Sequence, residues 1–177
     1  MKTSLNLLLI ILFLSFVSCS KQDDCDNPVD CLPPATQTGA GTIGCLINGE
    51  VFRPGGSQFP GPTQRAVYNT SVEGKYYFSL TAKNRSTNKS IGILLRDQQI
   101  GEGETYFLIS EGEFTNFAVY NINIIEFQTN NEFTGEITFS KFDDINGIVS
   151  GTFWFDGINE EGEIVEIREG RFDMKYN

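Results

Sequence analysis

The side chains best able to do chemistry in this chain are four cysteines, because the sequence contains no histidine. Without histidine, the usual Ser-His-Asp and Cys-His hydrolase arrangements are excluded, and so are zinc and iron sites that use histidine ligands. The cysteines, which lack CxxC spacing, are Cys19, Cys25, Cys31 and Cys45. The sequence therefore predicts neither a metal site nor a cofactor.

Two pairs of adjacent acids are the remaining candidates for catalysis, Asp143 with Asp144 and Glu160 with Glu161. A pair of carboxylates is enough to hydrolyse a glycosidic bond. Both pairs lie in predicted hairpin turns, where adjacent acids point into water and have little reason for a displaced pKa. A carboxylate-dependent hydrolase acting on envelope or external glycans is therefore kept as the alternative function.

The same turns contain oxygen-bearing residues that calcium prefers, in the patterns Asp143-Asp144-x-Asn146 and Asp156-x-x-Asn159. Neither pattern matches the EF-hand loop, which needs Gly at its sixth position and Glu at its twelfth. Calcium is an alternative to plain turn formation at these places, and no metal ligand is assigned.

Trp154 is the aromatic residue most suited to binding, because its neighbours Phe153 and Phe155 occupy the opposite face of the same predicted strand. If those two rings face the core, Trp154 is presented on the other face, where it can stack on a sugar or a partner chain. The competing interpretation places Trp154 under a loop or has both faces of the strand covered. Trp154 is thus the predicted ligand-facing residue, with a glycan or a protein as partner.

The first 18 residues follow the plan of a cleaved signal peptide, with Lys2, an apolar stretch from Leu7 to Val17, and a small Ser18 before Cys19. The apolar stretch has about 11 residues, whereas a membrane-spanning helix needs about 20. The segment from Phe16 to Cys19 resembles a bacterial lipobox, although Phe16 stands where Leu is usual. This resemblance implies that Cys19 carries lipid and attaches the chain to the outer membrane.

The residues after Cys19 are predicted to form a tether. Ser20 to Asp24 resembles the acidic export signal that sends lipoproteins of Bacteroidetes to the cell surface, and a plain solvated tether is the alternative. Proline and glycine with few apolar residues continue to Gly41, which predicts a flexible linker that holds the domain away from the lipid. The predicted organisation is a signal peptide (1–18), a lipid anchor and flexible tether (19–41), and one β domain (42–177).

Three cysteines remain once Cys19 is lipidated. Cys45 alternates with Ile43 and Ile47 in a strand pattern, so it is predicted to point into the core as a free thiol. That favours a disulfide between Cys25 and Cys31 in an oxidising environment, with Cys31 to Cys45 as the alternative if the tail packs on the domain.

Period-two alternation dominates the rest of the chain and predicts strands at 76–83, 133–140 and 148–155. Asn48-Gly49 marks the clearest hairpin, because these residues supply the positive φ angles that a two-residue turn requires. No window of helical length has a 3.6-residue period with caps. We therefore expect an all-β fold, an antiparallel β-sandwich or flattened barrel built of meander hairpins, and the sequence leaves both open.

The last strand is predicted to contain a β-bulge at Glu169-Gly170, because its apolar residues change parity there. The two apolar sets are Val165 with Ile167, and Phe172 with Met174 and Tyr176. Gly170 is expected to adopt the left-handed conformation that bulges often use. The residues expected to face solvent are Arg171, Asp173 and Lys175.

The chain is acidic, with a net charge of -10 that becomes -11 when the leader and its single cation, Lys2, are removed. Nucleic-acid binding depends on basic residues that neutralise phosphates, and no basic stripe is present. We therefore expect no nucleic-acid partner.

Two segments carry a family resemblance: LPPATQTGAGTIGCLINGEVFRP, at 32–54, and IVSGTFWFDGINEEGEIVEIREGRFDMKY, at 148–176. They resemble the small lipoproteins of Bacteroidetes that carry a domain of unknown function. The resemblance implies a lipid anchor, an outer-membrane location and a β fold, and it brings no activity or site residues. The predicted function is that of a cell-envelope lipoprotein whose surface-presented β domain is a binding or structural module.

Overall fold

The computed structural model describes residues 25–110 and 116–176, so the predicted signal peptide, Cys19 and the predicted export signal lie outside the described residues. The described chain is almost entirely β-structure, which confirms the predicted all-β fold. Its elements are a 3-10 helix at Pro28–Cys31, β1 Thr42–Ile47, β2 Glu50–Phe52, β3 Gln64–Thr70, β4 Tyr76–Asn84, β5 Lys89–Arg96, β6 Thr105–Leu108, β7 Phe117–Ile122, β8 Ile125–Gln128, β9 Gly135–Asp143, β10 Ile148–Ile158 and β11 Ile164–Lys175.

The strands form one curled antiparallel sheet in the order β2-β1-β11-β10-β8-β7-β5-β4-β3. Strand β9 also pairs with β10, and the short β6 pairs with β9. The two ends of this order come together, because Gly55 after β2 bridges Asn84 on β4, and Ala66 on β3 bridges Tyr176 after β11. This arrangement agrees with the expected sandwich or flattened barrel.

The concave face of the sheet holds the hydrophobic core, which follows from the alternation of apolar and polar residues along each strand. Phe78, Phe139 and Phe155 are fully buried. The ring of Phe139 meets that of Phe78 edge-on at 5.0 Å and that of Phe172 at 6.0 Å. Aromatic rings from several strands therefore interlock at the centre of the domain.

Asn48 and Gly49 form the predicted two-residue turn between β1 and β2, with φ values of 50° and 83°. The hairpin keeps Cys45 on the core side, where it is a free, fully buried thiol. Burial raises the pKa of this thiol, so Cys45 packs as a small apolar side chain. Cys25 and Cys31 form a disulfide, with their Cα atoms 5.7 Å apart.

Strand β11 contains the predicted β-bulge. Phe153 pairs with Gly170 and Phe155 with Ile167, so two steps along β10 match three along β11. The residue with the left-handed backbone is Glu169, with φ of 55°, and the expectation that Gly170 would adopt it was wrong. Gly170 serves close packing instead, because a Cβ there would lie 2.5 Å from the carbonyl oxygen of Phe153.

The expectation that Asp173 faces solvent was also wrong, because this side chain is fully buried. Its parity does place it on the outer face of β11, opposite Phe172 and Met174. Residues 31–41, which we call the strap, cover that face. The structure therefore adds a layer that strand alternation alone does not reveal.

The strap is the second half of the predicted flexible tether, and it lies against the domain rather than away from it. Leu32 is buried. A Cβ on Gly44 would lie 2.7 Å from Cδ of Pro33, so this proline packs directly on β1. Gln37 donates a side-chain hydrogen bond of 3.1 Å to the carbonyl oxygen of Ser140 on β9. The folded domain thus begins near Cys31.

Candidate functional site: an aromatic face beside the strap

Four neighbouring strands, β6, β9, β10 and β11, present a row of functional side chains on the outer face of the sheet. Phe107 pairs with Glu136, and Glu136 pairs with Trp154. Trp154 stands opposite the bulge in β11, whose Arg168 completes the row. Side chains at paired positions of neighbouring strands lie on the same face, so these four form one continuous surface.

A second row of polar side chains runs beside the first. It consists of Thr105, Thr138, Thr152 and Arg171, which are paired across the same four strands. The hydroxyl oxygens of Thr105 and Thr138 are 2.8 Å apart and share a hydrogen bond. We call the two rows together the binding face, since they offer rings, hydroxyls and charges to a ligand.

Trp154 is held in place on this face while 36% of it remains exposed. Its indole N–H donates a hydrogen bond of 3.3 Å to Oε2 of Glu136. The guanidinium carbon of Arg168 lies 5.6 Å from the centre of the ring, which is within the range of a cation–π contact. Phe107 is more open, with 62% of its surface exposed.

Arg168 is itself fixed by the strands around it. Its Nη1 lies 2.7 Å from Oδ1 of Asp156, and its Nη2 lies 3.4 Å from Oε1 of Glu166. The same guanidinium donates to the carbonyl oxygen of Phe155 at 3.2 Å. Several partners therefore hold the guanidinium of Arg168 in place. Because this group contacts the indole ring, the orientation of Trp154 is set before any ligand binds.

A groove of about 450 Å³ opens between Trp154, Arg171 and Ala35, the last of which belongs to the strap. The strap therefore forms one wall of the binding face. Its position is set by Asp173, which lies underneath it.

Asp173 is the most heavily hydrogen-bonded carboxylate among the described residues. The strap supplies donors at Thr36 Oγ1 (2.6 Å), Thr38 N (3.0 Å), Thr38 Oγ1 (3.2 Å), Gly39 N (2.7 Å) and Ala40 N (3.1 Å), and Ser150 Oγ on β10 donates at 2.7 Å. Burial alone would raise the pKa of Asp173, but these bonds outweigh burial and hold the pKa well below its usual range. Asp173 is thus an anion that fixes the strap.

No protein-family model, curated protein or solved structure matches this chain. In the part of the chain that the structure describes, no helix has the length and apolar character needed to cross a membrane.

The first acidic pair, Asp143 and Asp144, lies at the turn between β9 and β10. Asp143 accepts hydrogen bonds from the backbone N–H groups of Ile145 (3.1 Å) and Asn146 (3.0 Å) and from Asn146 Nδ2 (2.9 Å). The bonds from Asn146 lower the pKa of Asp143. Asp144 accepts from the hydroxyl of Tyr176. The two carboxylates therefore serve the turn and the end of the chain.

The second pair, Glu160 and Glu161, lines an open groove of about 510 Å³ together with Glu126. All three side chains are exposed. Of the residues proposed for calcium, Asp156 is paired with Arg168, and Asn159 accepts from the backbone N–H of Glu163 at 2.8 Å. No group of three acidic or cysteine side chains in the described ranges is placed to hold a metal ion.

Sequence reasoning missed Phe107, Arg168 and Asp173 as parts of this site. Phe107 lies on β6, which has only four residues and too little alternation to be recognised. Arg168 sits at the bulge, where parity does not indicate which face a side chain occupies. Asp173 follows the outward parity of its strand, and only the strap, more than 130 residues away in sequence, buries it.

Proposed function

We propose that this chain is a lipid-anchored envelope protein, held in the outer membrane through Cys19 and displayed at the cell surface, whose β domain binds an extended glycan. The leader, the lipobox-like segment and the acidic residues after Cys19 support the location. The resemblance to small lipoproteins of Bacteroidetes supports the same location.

The observation that carries the binding role is the binding face itself. Phe107 and Trp154 lie two strands apart on one surface, which puts their backbones about 10 Å from one another. Both rings are exposed although the domain has a large buried core. Exposed rings that lie together on a rigid sheet are typical of a ligand site rather than of packing.

A glycan is the ligand that suits this mixture of groups. Aromatic rings offer flat apolar surfaces for the C–H faces of sugar rings. Glu136, Arg171 and the threonine hydroxyls lie within the same two rows and can hydrogen-bond to sugar hydroxyls. Because β6 pairs only with β9 among the described strands, the face is open at its β6 side, and it suits a chain of sugars better than a single one.

The test uses the only tryptophan in the chain as its probe. The mature chain, made without its leader, is titrated with a panel of soluble polysaccharides while tryptophan fluorescence is recorded. We expect at least one polysaccharide to shift or quench the emission in a saturable way. A panel that leaves the emission unchanged would contradict the glycan proposal.

Variants locate the contact by electrophoresis in gels that contain the polysaccharide. Trp154→Ala should abolish the retardation, and Phe107→Ala should weaken it, because each removes a stacking surface. Tyr77→Ala is the matched control, since Tyr77 is an aromatic residue of β4 with similar exposure, 37%, outside the binding face. Equal retardation of Trp154→Ala and the parent chain would exclude this face. Crosslinking of the face to an envelope protein would instead favour a protein partner.

A further inference from the structure

A further pocket, separate from the binding face, opens at the end of the curled sheet that carries the β1–β2 and β10–β11 turns. It has a volume of about 450 Å³, which lies in the range of small-ligand sites. Core residues form its floor: Ile47, Tyr120, Phe127 and Val165, each at most 8% exposed. We call this space the mouth pocket, and its floor offers an apolar surface.

Charged residues occupy inward-facing positions at this end. Glu50 comes two residues before the buried Phe52 on β2, and Lys89 comes two residues before the buried Ile91 on β5. Their charged groups lie 3.7 Å apart across the mouth. The side chain of Glu50 is 80% exposed, and an ion pair this exposed to water contributes little to stability. A ligand can therefore take the place of this contact at little cost.

Tyr120 is the polar group that the fold leaves unused here. Only 4% of the residue is exposed, and its ring packs against Phe127 at 5.7 Å. Its hydroxyl makes no hydrogen bond to any residue that the structure describes, although it lines the pocket. Burial raises the pKa of Tyr120, and the nearby Glu50 carboxylate raises it further, so the phenol stays neutral. Such a hydroxyl is ready to accept or donate a bond to a ligand.

The charges around the mouth pocket favour a cation. Among its lining residues, Glu50 and Glu163 oppose the single Lys89. The neighbouring turn adds Glu160 and Glu161, both exposed. The chain as a whole is also strongly acidic. An anionic head group would be repelled, whereas an ammonium group would be attracted to the carboxylate of Glu50.

We propose that the mouth pocket binds a small amphipathic amine. The ammonium group lies between the Glu50 carboxylate and the Tyr120 hydroxyl oxygen, which accepts one of its N–H bonds. The apolar body of the amine lies on Ile47, Phe127 and Val165. This site is distinct from the binding face, so its test is independent of glycan binding.

The test compares three probes with the same six-carbon body and different heads: hexylamine, hexanol and hexanoate. Each is titrated into the ¹⁵N-labelled mature chain, and amide shifts are followed by NMR. We expect hexylamine to bind about five-fold more tightly than hexanol, because a single partly exposed charge contact raises the affinity by about that factor. Hexanoate should bind most weakly. The shifts should centre on β1, β7 and β8. Equal binding of all three, tighter binding of hexanoate, or no saturable shift at this end would overturn the proposal.

Two variants test the polar contacts. Glu50→Gln should reduce the affinity for hexylamine about five-fold and leave that for hexanol unchanged, because it removes a charge and keeps the shape. Tyr120→Phe should weaken both probes by a similar factor. Glu73→Gln, on the exposed turn between β3 and β4, is the charge-matched control and should change nothing. If Tyr120→Phe fails to fold, the exposed Glu50→Gln still decides the matter, and unchanged hexylamine binding there would contradict the proposal.

Discussion

At the scale of single residues, the buried carboxylate of Asp173 has the largest structural consequence. A carboxylate that is fully buried among six donors is stable only because those donors replace its water. The carboxylate needs the backbone N–H groups of the strap as donors, and those N–H groups need the carboxylate as their acceptor. Removing either leaves buried polar groups without partners.

Asp173→Asn is therefore expected to destabilise the domain by about 3 kcal/mol at pH 7, because the amide turns N–H groups toward the N–H donors of the strap. Urea unfolding followed by circular dichroism measures the change. Asp26→Asn, at an exposed position, is the control and should lie within experimental error of the parent. A loss below about 1 kcal/mol, the net worth of one ordinary hydrogen bond, would mean that the charge is not needed.

The same residue predicts a pH dependence. Its pKa in the folded state lies below that of an unfolded aspartate, about 3.9. The unfolded chain therefore binds more protons, and stability falls as the pH falls from about 4 toward the folded pKa. Above that range the contribution is fully present. In Asp173→Asn the corresponding part of the acid sensitivity should disappear, which unfolding curves at pH 7 and pH 3 will measure.

Substitutions at Gly170 and Glu169, which are neighbours in the bulge, are expected to have opposite effects on the stability of the domain. Gly170→Val should cost about 2 kcal/mol, because its side chain would collide with the backbone and ring of Phe153. Glu169→Gly should be neutral or slightly stabilising, because Glu169 already holds a positive φ that glycine adopts freely. Thermal unfolding of both variants checks this pair, and a reversed order would place the left-handed residue at Gly170.

At the scale of elements, the strap determines where the domain begins. After Cys31, which ends the 3-10 helix, it has no regular secondary structure, and hydrogen bonds from residues 36–40 to Asp173 and Ser140 fix its second half. It also covers apolar and charged groups on the outer face that would otherwise meet water. The strap therefore contributes to stability as well as to the wall of the binding face.

Thr36→Val tests the strap, because it removes the hydroxyl that donates to Asp173 at 2.6 Å and keeps the shape of the side chain. We expect a loss of about 1–2 kcal/mol, as for a hydrogen bond to a charged acceptor. Thr105→Val is the matched control, since its hydroxyl contacts Thr138 at the exposed surface and should cost little. Chemical unfolding of both variants gives the comparison, and equal losses would contradict the special role of the strap.

Local signals were sufficient for the parts of the fold that depend on local structure. The Asn48-Gly49 turn, the long alternating strands and the position of the bulge all follow from residues close in sequence. The strap does not, because its prolines and glycines also describe a flexible linker. Its order comes from contacts with β1 and, above all, with β9, β10 and β11, which are distant in sequence. For the same reason, the sequence pointed to only one residue of the binding face, Trp154.

At the scale of the whole molecule, the proposed lipid anchor has a direct test. Cells that express the chain are labelled with a palmitate analogue, and the parent should be labelled while Cys19→Ala should not, because this variant lacks the proposed attachment site. Ser20→Ala is the control and should be labelled as strongly as the parent. If the Cys19→Ala variant is still labelled and stays in the membrane fraction, the proposed anchor is wrong.

The acidic segment after Cys19 predicts surface display. With residues 21–24 changed to alanine, the chain should still be lipidated but should resist protease added to intact cells, because the proposed export signal is removed. The parent should be degraded under the same conditions. Unchanged degradation would reduce this segment to a plain spacer.

The disulfide and the strap together set how far the domain can stand from a membrane. Cys25 is bonded to Cys31, where the folded domain begins, so only six peptide units join the proposed lipid at Cys19 to a fixed point on the domain. Fully extended, they reach about 20 Å. That is much less than the 22-residue linker expected from the sequence would allow. With the proposed lipid at Cys19, the domain would lie in the layer directly above the bilayer, and its ligands would have to reach that layer or already reside in it.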